Sequence, residues 1–320
     1  MRYAVLLVAL LAGLLAHEAR ADDYPSRPIH IIVSYAPGGG TDLIARAIGR
    51  KLGEALGQSV VVENRPGAGG NIGTEAVAKA APDGYTLSLV PSSHAIAPLF
   101  YPQLTFDVFK DFTFITLVAS GPNILVVNPA VPVGSVQDLI ALAKQKPGEL
   151  TFASAGVGSS THLYGEYFNS AAGIKALHVP YKGSSQAEAD VIAGRIAYMV
   201  DSIPSALPKV QAGQVRALAT TGKRRFPALP DLPTVEESGV PYESISWWGL
   251  IGPARLPAPI VDRLSREMSR ILAQDDIKQF IVTQGAEVTP STPEAFLDLV
   301  RHDNALYGEI VRNNHIQLER

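Results

Sequence analysis

The apolar positions of this chain repeat with two periods that alternate along it. Residues 29–34 (IHIIVS) form a short apolar run, which predicts a buried strand. Between 41 and 56, Leu43, Ile44, Ala47, Ile48, Leu52, Ala55 and Leu56 recur at i, i+4 and i+8, which predicts a helix with one buried stripe. Thr41 or Asp42 is placed to cap that helix and Gly57 to stop it. A strand at 60–63, a loop "NRPGAGGNIG", a helix near 75–80, a turn "APDG" and a strand at 85–90 follow. Strands alternating with helices indicate a parallel sheet with crossover helices.

The alternation resumes further on. Strands are expected at 124–127, 151–154, 177–180, 195–201 and 216–220, with helices at 135–145, 162–171 and 188–193. Ser135 and Asp138 stand in capping-box spacing. After residues 247–251 come helices near 260–273 and 293–312. Two stretches are placed to carry the chain between two bodies: the apolar segment 112–127, broken by "SGPN", and the proline-rich stretch 226–241. The expected fold is α/β and two-lobed, each lobe a mainly parallel sheet flanked by helices, the lobes joined by two crossings. Lobe 1 takes residues 22–121 plus 246–320 and lobe 2 residues 122–245, with the C-terminal helices returning to lobe 1. Two crossings make a hinge with a cleft between the lobes.

Residues 1–21 stand apart from this pattern. Arg2, an unbroken apolar run of 13 residues over 4–16, and Ala19-Arg20-Ala21 form a secretory signal with cleavage before Asp22. The run is short of the ~20 residues that span a bilayer. The chain contains no cysteine, which excludes disulfides, thiolate metal sites and a cysteine nucleophile. A net charge of −3 offers no basic footprint for nucleic acid. The remaining chain is expected to be exported and to act as a monomer.

Chemistry is suggested first by "SYAPGGGTDLIAR", residues 34–46, where three glycines separate a strand from a helix. Gly38 and Gly40 fit the start of a dinucleotide G-x-G-x-x-G, but Leu43 occupies the third position. No GK[ST] tripeptide exists, so a Walker loop is absent. Either the glycines only make a βα turn, or they bring unpaired helix N–H groups close to an anion. "SAGVGSSTHL", residues 154–163, has the same strand–glycine–helix form, with hydroxyls at Ser159, Ser160 and Thr161. Neither loop, 35–42 or 154–161, contains Lys or Arg. A helix terminus contributes about 0.3–1 kcal/mol toward an anion, and micromolar binding needs about −8 kcal/mol. Two termini therefore require added hydrogen bonds and a cleft that closes over the ligand.

Catalytic patterns are sparse. There is no G-x-S-x-G elbow and no H-E-x-x-H, and the histidines lack metal-ligand spacing. His162 with Asp42 or Asp201 is the one constellation open to a secreted hydrolase or isomerase. Each has a plainer reading, His162 as a packed hydrogen-bonding side chain, Asp42 as a helix cap and Asp201 as a turn residue. Trp247-Trp248 reads as core and hinge packing.

Six stretches carry a family resemblance: "YPSRPIHIIVSYAPGGGTDLIAR", "VVVENRPGAGGNIGTEAVAKAAPDGYTL", "SAGVGSSTHL", "VPYKGSSQAEADVIAGRIAYMVDS", "GKRRFPALPDLPTVEESG" and "WWGLIGPARLP". Together, over nearly all of residues 24–300, they resemble the Bug-type extracytoplasmic solute receptors, the substrate-binding components of tripartite tricarboxylate transporters. The resemblance implies a periplasmic Venus-flytrap receptor without catalytic activity, cofactor or metal. It would close on a small organic acid (a mono-, di- or tricarboxylate) and deliver it to a membrane permease; a ligand-sensing role beside a membrane signalling partner fits the same fold. Carried onto this chain, it implies ligand-binding positions at Tyr35, Ala36, Gly39, Gly40, Thr41 and Asp42 in the first loop. In the second loop it implies Ser154, Gly158, Ser159, Ser160 and Thr161, with Ser92 and Asp201 bordering the pocket. "PYKGSSQAEAD" departs from the family's more usual "PYKGGGPALTD".

Overall fold

In the computed structural model, which describes residues 24–316, two half-sheets share one long strand. The secretory signal expected at residues 1–21 lies outside the described residues. Strand β1 (Ile29–Val33) enters helix α1 (Gly40–Leu56), and β2 (Val60–Asn64) pairs parallel to β1. A 3-10 turn (Ala68–Gly70), helix α2 (Asn71–Ala78) and strand β3 (Thr86–Pro91) follow, β3 pairing parallel to the other edge of β1. Helix α3 (Ser93–Phe100) leads to β4 (Phe112–Val127), which runs through "SGPN" without interruption.

The second half repeats the plan. It contains α4 (Val136–Gln145), β5 (Thr151–Ser154), α5 (Ser160–Ala172), β6 (Leu177–Pro180), α6 (Ser184–Ile192), β7 (Tyr198–Ser202), α7 (Ile203–Gln211) and β8 (Arg216–Thr220). Strand β5 pairs parallel to β6 and β7. The chain then returns through β9 (Ile245–Pro253), α8 (Ala258–Leu272), α9 (Asp275–Thr283), β10 (Glu287–Val288) and α10 (Pro293–Asn313).

Strand β4 pairs antiparallel with β9 as far as Pro122 opposite Ile245, and from Asn123 onward with β7 and β8. The sheets are thus mixed rather than mainly parallel. Each half has a parallel triplet, and the strands that pass between halves run against their neighbours because one must leave as the other returns. Buried Asn123 ties the passage: its amide nitrogen donates to Ser244 Oγ at 3.0 Å, and its oxygen accepts from Ser246 Oγ at 2.7 Å.

Each half has its own core. Ile29, Ile31, Ile44, Ile48 and Leu52 pack against Leu264, Met268 and Ile271 of α8. Leu125, Leu139, Phe152, Leu163, Phe168 and Tyr198 fill the other half. Helix α10 was expected on lobe 1, but it serves both. Phe296 and Val300 pack with Phe114 and Trp247, whereas Tyr307 joins Ile96, Phe100 and the second core. At 1.5 Å per residue, a helix of 21 residues is about 31 Å long, enough to bridge the halves.

Helix ends follow the sequence signals in part. Ser135 Oγ accepts from Asp138 N–H, and the Asp138 carboxylate returns to Gly134 N–H at 3.0 Å. Gly57 ends α1 in the left-handed region at φ 67. The start of α1 differs from expectation: Gly39 is the N-cap, and neither Thr41 nor Asp42 caps it.

Candidate functional site

Between the two halves lies a cavity of about 40 Å³. Four helices of different halves begin at its wall. Gly39, Gly40, Thr41 and Asp42 start α1; Ser159, Ser160 and Thr161 start α5; Ser184 starts α6; Ser202 precedes α7. The first N–H groups of each helix have no intrahelical carbonyl to bond, and each terminus carries a partial positive charge. No Lys or Arg side chain lines the cavity.

The sequence dictates how each start is built. Gly38 turns at φ +88, in the region that favours glycine, and its N–H donates to Asp42 Oδ2 at 3.0 Å. Asp42 also accepts from Arg46 Nε at 3.0 Å and from Asn64 Nδ2 at 2.9 Å. Burial opposes its charge, but the donors Arg46, Gly38 and Asn64 together hold the carboxyl below its usual range. In α5, Ser159 Oγ accepts from His162 N–H, and Thr161 Oγ1 accepts from Ala155 N–H at 2.8 Å. Asp201, at the end of β7, accepts at Oδ1 from Ser184 Oγ (2.7 Å) and Ser202 N–H (2.8 Å). Tyr35 donates to the Gly69 carbonyl at 2.6 Å, and burial raises its hydroxyl above the ordinary range.

Of the expected site residues, Tyr35, Ala36, Gly39, Gly40, Thr41, Asp42, Ser159, Ser160, Thr161 and Asp201 meet at this cavity. Three lie behind it. Ser92 Oγ is 3.0 Å from the Tyr164 hydroxyl and fully buried. Ser154 Oγ is 2.6 Å from His178 Nε2 and accepts from Gly156 N–H. Gly158 N–H donates to His162 Nδ1, and a Cβ there would meet Tyr101 at 2.5 Å. Their side chains or backbone shape the loops from beneath.

The wall also contains Pro91, Ala155, Ser184, Ser202, Ser246 and Trp248. The signals for two of these were present: "KGSSQAE" starts a helix at Ser184, and "DSIPS" places a serine ahead of a proline-opened helix. Both tryptophans are core residues, as expected, and Trp248 also reaches the cavity wall. Adjacent strand residues face opposite ways. Trp247 packs into one core cluster and donates to Asp303 at 2.7 Å, whereas Trp248 packs into another, borders the cavity and donates to Thr41 Oγ1 at 3.1 Å.

His162 is sealed away from the cavity. It is fully buried, stacks on His178 with ring centroids 3.9 Å apart, and packs against Phe100. Burial, with the His178 ring beside it, lowers its pKa to about 3. It shares no hydrogen bond with Asp42, whose carboxylate is taken by Arg46, Asn64 and Gly38, nor with Asp201. No group of three or more metal-ligating side chains occurs among the described residues.

Known proteins match this architecture over most of its length. The model of the tripartite tricarboxylate transporter family receptor matches residues 44–316. Protein BugT of Bordetella pertussis is 35% identical over 319 residues, covering 99% of this chain and 98% of its own. Among solved structures, R. palustris Rpa4515 with adipate superposes with a TM-score of 0.90 at 36% identity, covering 92% of this chain and 99% of its own. MatC from Rhodopseudomonas palustris with bound malate superposes at 0.87 and 31% identity, covering 90% and 100%. With the family model matching residues 44–316 and BugT aligned over 99% of the chain, the chain belongs to the tripartite tricarboxylate transporter receptor family.

Proposed function

We propose that this protein is a periplasmic receptor that captures a small organic acid between its lobes and hands it, unaltered, to the permease of a tripartite tricarboxylate transporter. The observation that carries this reading is the convergence of four helix N-termini on one interlobe cavity without a cationic side chain in its wall. Such a wall suits a carboxylate held by backbone N–H groups, hydroxyls and water. The adipate and malate named with two related structures fit the same chemistry. The binding residues are the ten expected residues that line the cavity, joined by Ser184, Ser202, Ser246 and Trp248.

Capture requires motion. A cavity of about 40 Å³ has room for only a few waters. A diacid of several carbons enters only if the lobes part. The hinge is placed where the two passing strands lie side by side, at Pro122–Asn123 and Ser244–Ile245. Contacts that the motion must break include Ser185 Oγ to the Pro37 carbonyl (2.7 Å), Ala36 N–H to the Lys182 carbonyl (3.1 Å) and Tyr101 hydroxyl to the Val157 carbonyl (2.9 Å). These bonds re-form on closure and hold the shape that the permease recognises. Residues 1–21 direct export and are removed, and the receptor acts as a monomer without catalysis.

The test is a thermal-shift screen of mono-, di- and tricarboxylates on protein stripped of co-purified ligand. A ligand at about a hundred times its Kd stabilises by about 2.7 kcal/mol. At least one acid should raise the melting temperature and be recovered chemically unchanged. A silent broad panel refutes the receptor reading, and conversion of a bound acid refutes the absence of catalysis.

A further inference from the structure

An anion cavity whose wall holds two aspartates needs both of them neutralised. Asp42 is neutralised by Arg46, whose guanidinium lies 2.9 Å from it. Asp201 has no such partner. It is fully buried at the end of β7, and its Oδ2 receives no hydrogen bond. Oδ1 already accepts two, from Ser184 and Ser202.

Behind it stands a second buried acid. Glu188 of α6 is 2% exposed and lies one helical turn beyond Ser184, whose hydroxyl bonds Asp201. Lys209 of α7 is the one cation at the cluster, 2.9 Å from Glu188 Oε2, and it donates to the Ser205 carbonyl at 2.6 Å. On α5, which also packs on β7, His162 stacks on His178, and Glu166 lies 4.0 Å from His162. Strands β4 and β5 bring no charged side chain to the cluster. Two carboxylates against one ammonium leave an uncompensated buried charge, which costs several kcal/mol. Two neighbouring buried carboxyls that share a single ammonium are relieved of the remaining repulsion by one proton.

We propose that Asp201 and Glu188 share one proton, so that the cavity wall offers a neutral carboxylic acid beside a bound anion, and that loss of this proton drives the anion out. The proposal rests on the carboxylate-receptor reading for its second clause. Burial, with the charge of Asp201 beside it, pushes Glu188 up to about 8, and burial raises Asp201 as well. With the proton in place, the charges of Asp201, Glu188 and Lys209 cancel, and the four helix termini face the ligand unopposed. The ligand favoured is then an acid without an ammonium group, since a neutral wall gives a cation no counter-charge.

Two measurements decide it. The first needs no ligand: denaturant unfolding of wild type and of the double variant Asp201→Asn with Glu188→Gln, from pH 5 to about 8. The folded pair keeps a proton that the unfolded carboxyls have released, so wild-type stability falls as pH rises to about 8. One proton corresponds to about a tenfold loss in the folding constant per pH unit relative to the variant. Parallel curves overturn the shared proton. If the variant fails to fold, infrared spectroscopy of wild type decides instead: a protonated-carboxyl band at pH 7 that vanishes above about pH 9 supports the proposal, and its absence at pH 7 overturns it. The second measurement is the affinity for adipate and malate against pH. It should fall in wild type above about pH 8 and stay level in the variant; equal pH dependence overturns the link to binding. If no acid binds at any pH, the receptor reading fails, while the unfolding curves still decide the proton.

Discussion

Trp248 Nε1 donates a hydrogen bond to Thr41 Oγ1 at 3.1 Å across 207 positions of sequence. The bond fastens the first turn of α1 to strand β9, where the chain has returned from the second lobe. Because α1 has no side-chain N-cap, this tie and the Asp42–Gly38 bond fix where its free N–H groups point. The jaw of the cavity is therefore positioned by the returning strand as well as by its own loop.

Replacing Trp248 by Phe keeps an aromatic ring and deletes the donor. A net hydrogen bond contributes about 1 kcal/mol, so the acid that binds should lose about fivefold in affinity. Calorimetric titration of the variant checks this. Unchanged affinity would show that the tie does not orient the jaw.

Gly40 and Gly39 should behave differently. A Cβ on Gly40 would lie 2.8 Å from Ser202 Oγ, 3.3 Å from Pro204 and 3.4 Å from Trp248, all in the closed seam. At Gly39 the nearest atom would be Ser184 Cβ at 3.7 Å, an ordinary contact, with φ −81. Gly40→Val should wedge the lobes and weaken binding at least a hundredfold, about 2.7 kcal/mol, with the melting temperature of the ligand-free protein nearly kept. Gly39→Ala should bind within a few-fold of wild type. The opposite order in titrations would contradict the assigned seam.

Ser159→Ala removes the oxygen that accepts from His162 N–H. Loss of such a cap costs about 1 kcal/mol of stability. The variant should melt lower and bind more weakly, because the same helix start lines the cavity. Loss of stability with intact affinity would restrict Ser159 to a folding role.

His94 sets part of the acid limb of stability. Its Nε2 donates to the Val108 carbonyl at 2.9 Å, while Nδ1 has no partner, and burial lowers its pKa to about 4. The unfolded chain binds this proton below about pH 6.5. Stability from neutral His94 is therefore full above pH 6.5 and lost as pH falls toward 4, about 3 kcal/mol in all. His94→Gln, which keeps a donor for Val108, should flatten that limb in urea titrations. Parallel limbs would exclude His94 as their source.

The alternation of periods made the lobes legible, because a buried strand and a one-sided helix leave different apolar spacing. The glycine loops at Gly38–Gly40 and Gly156–Gly158 were legible for the same local reason. What escaped were residues whose role depends on partners far away in sequence. Trp248 differs from Trp247 only in the face of β9 it occupies. Ser92 and Ser154 follow or end strands that reach the cavity, yet their hydroxyls bond to Tyr164 and His178 behind it. The departure "GSSQAE" acquires meaning in three dimensions: Ser184 bonds Asp201, Ser185 bonds Pro37 across the seam, and Glu188 is buried one turn further along the same helix.

The central claim is that a carboxylate is captured between the lobes by the helix starts at Gly40 and Ser159. Isothermal titration of ligand-stripped protein with a carboxylate panel that includes adipate and malate tests it most directly, with Gly40→Val run beside wild type. The account predicts one acid bound per chain at micromolar Kd or tighter, recovered unchanged, and binding at least a hundredfold weaker by the folded variant. Absence of binding across the panel, or equal binding by Gly40→Val, would contradict it.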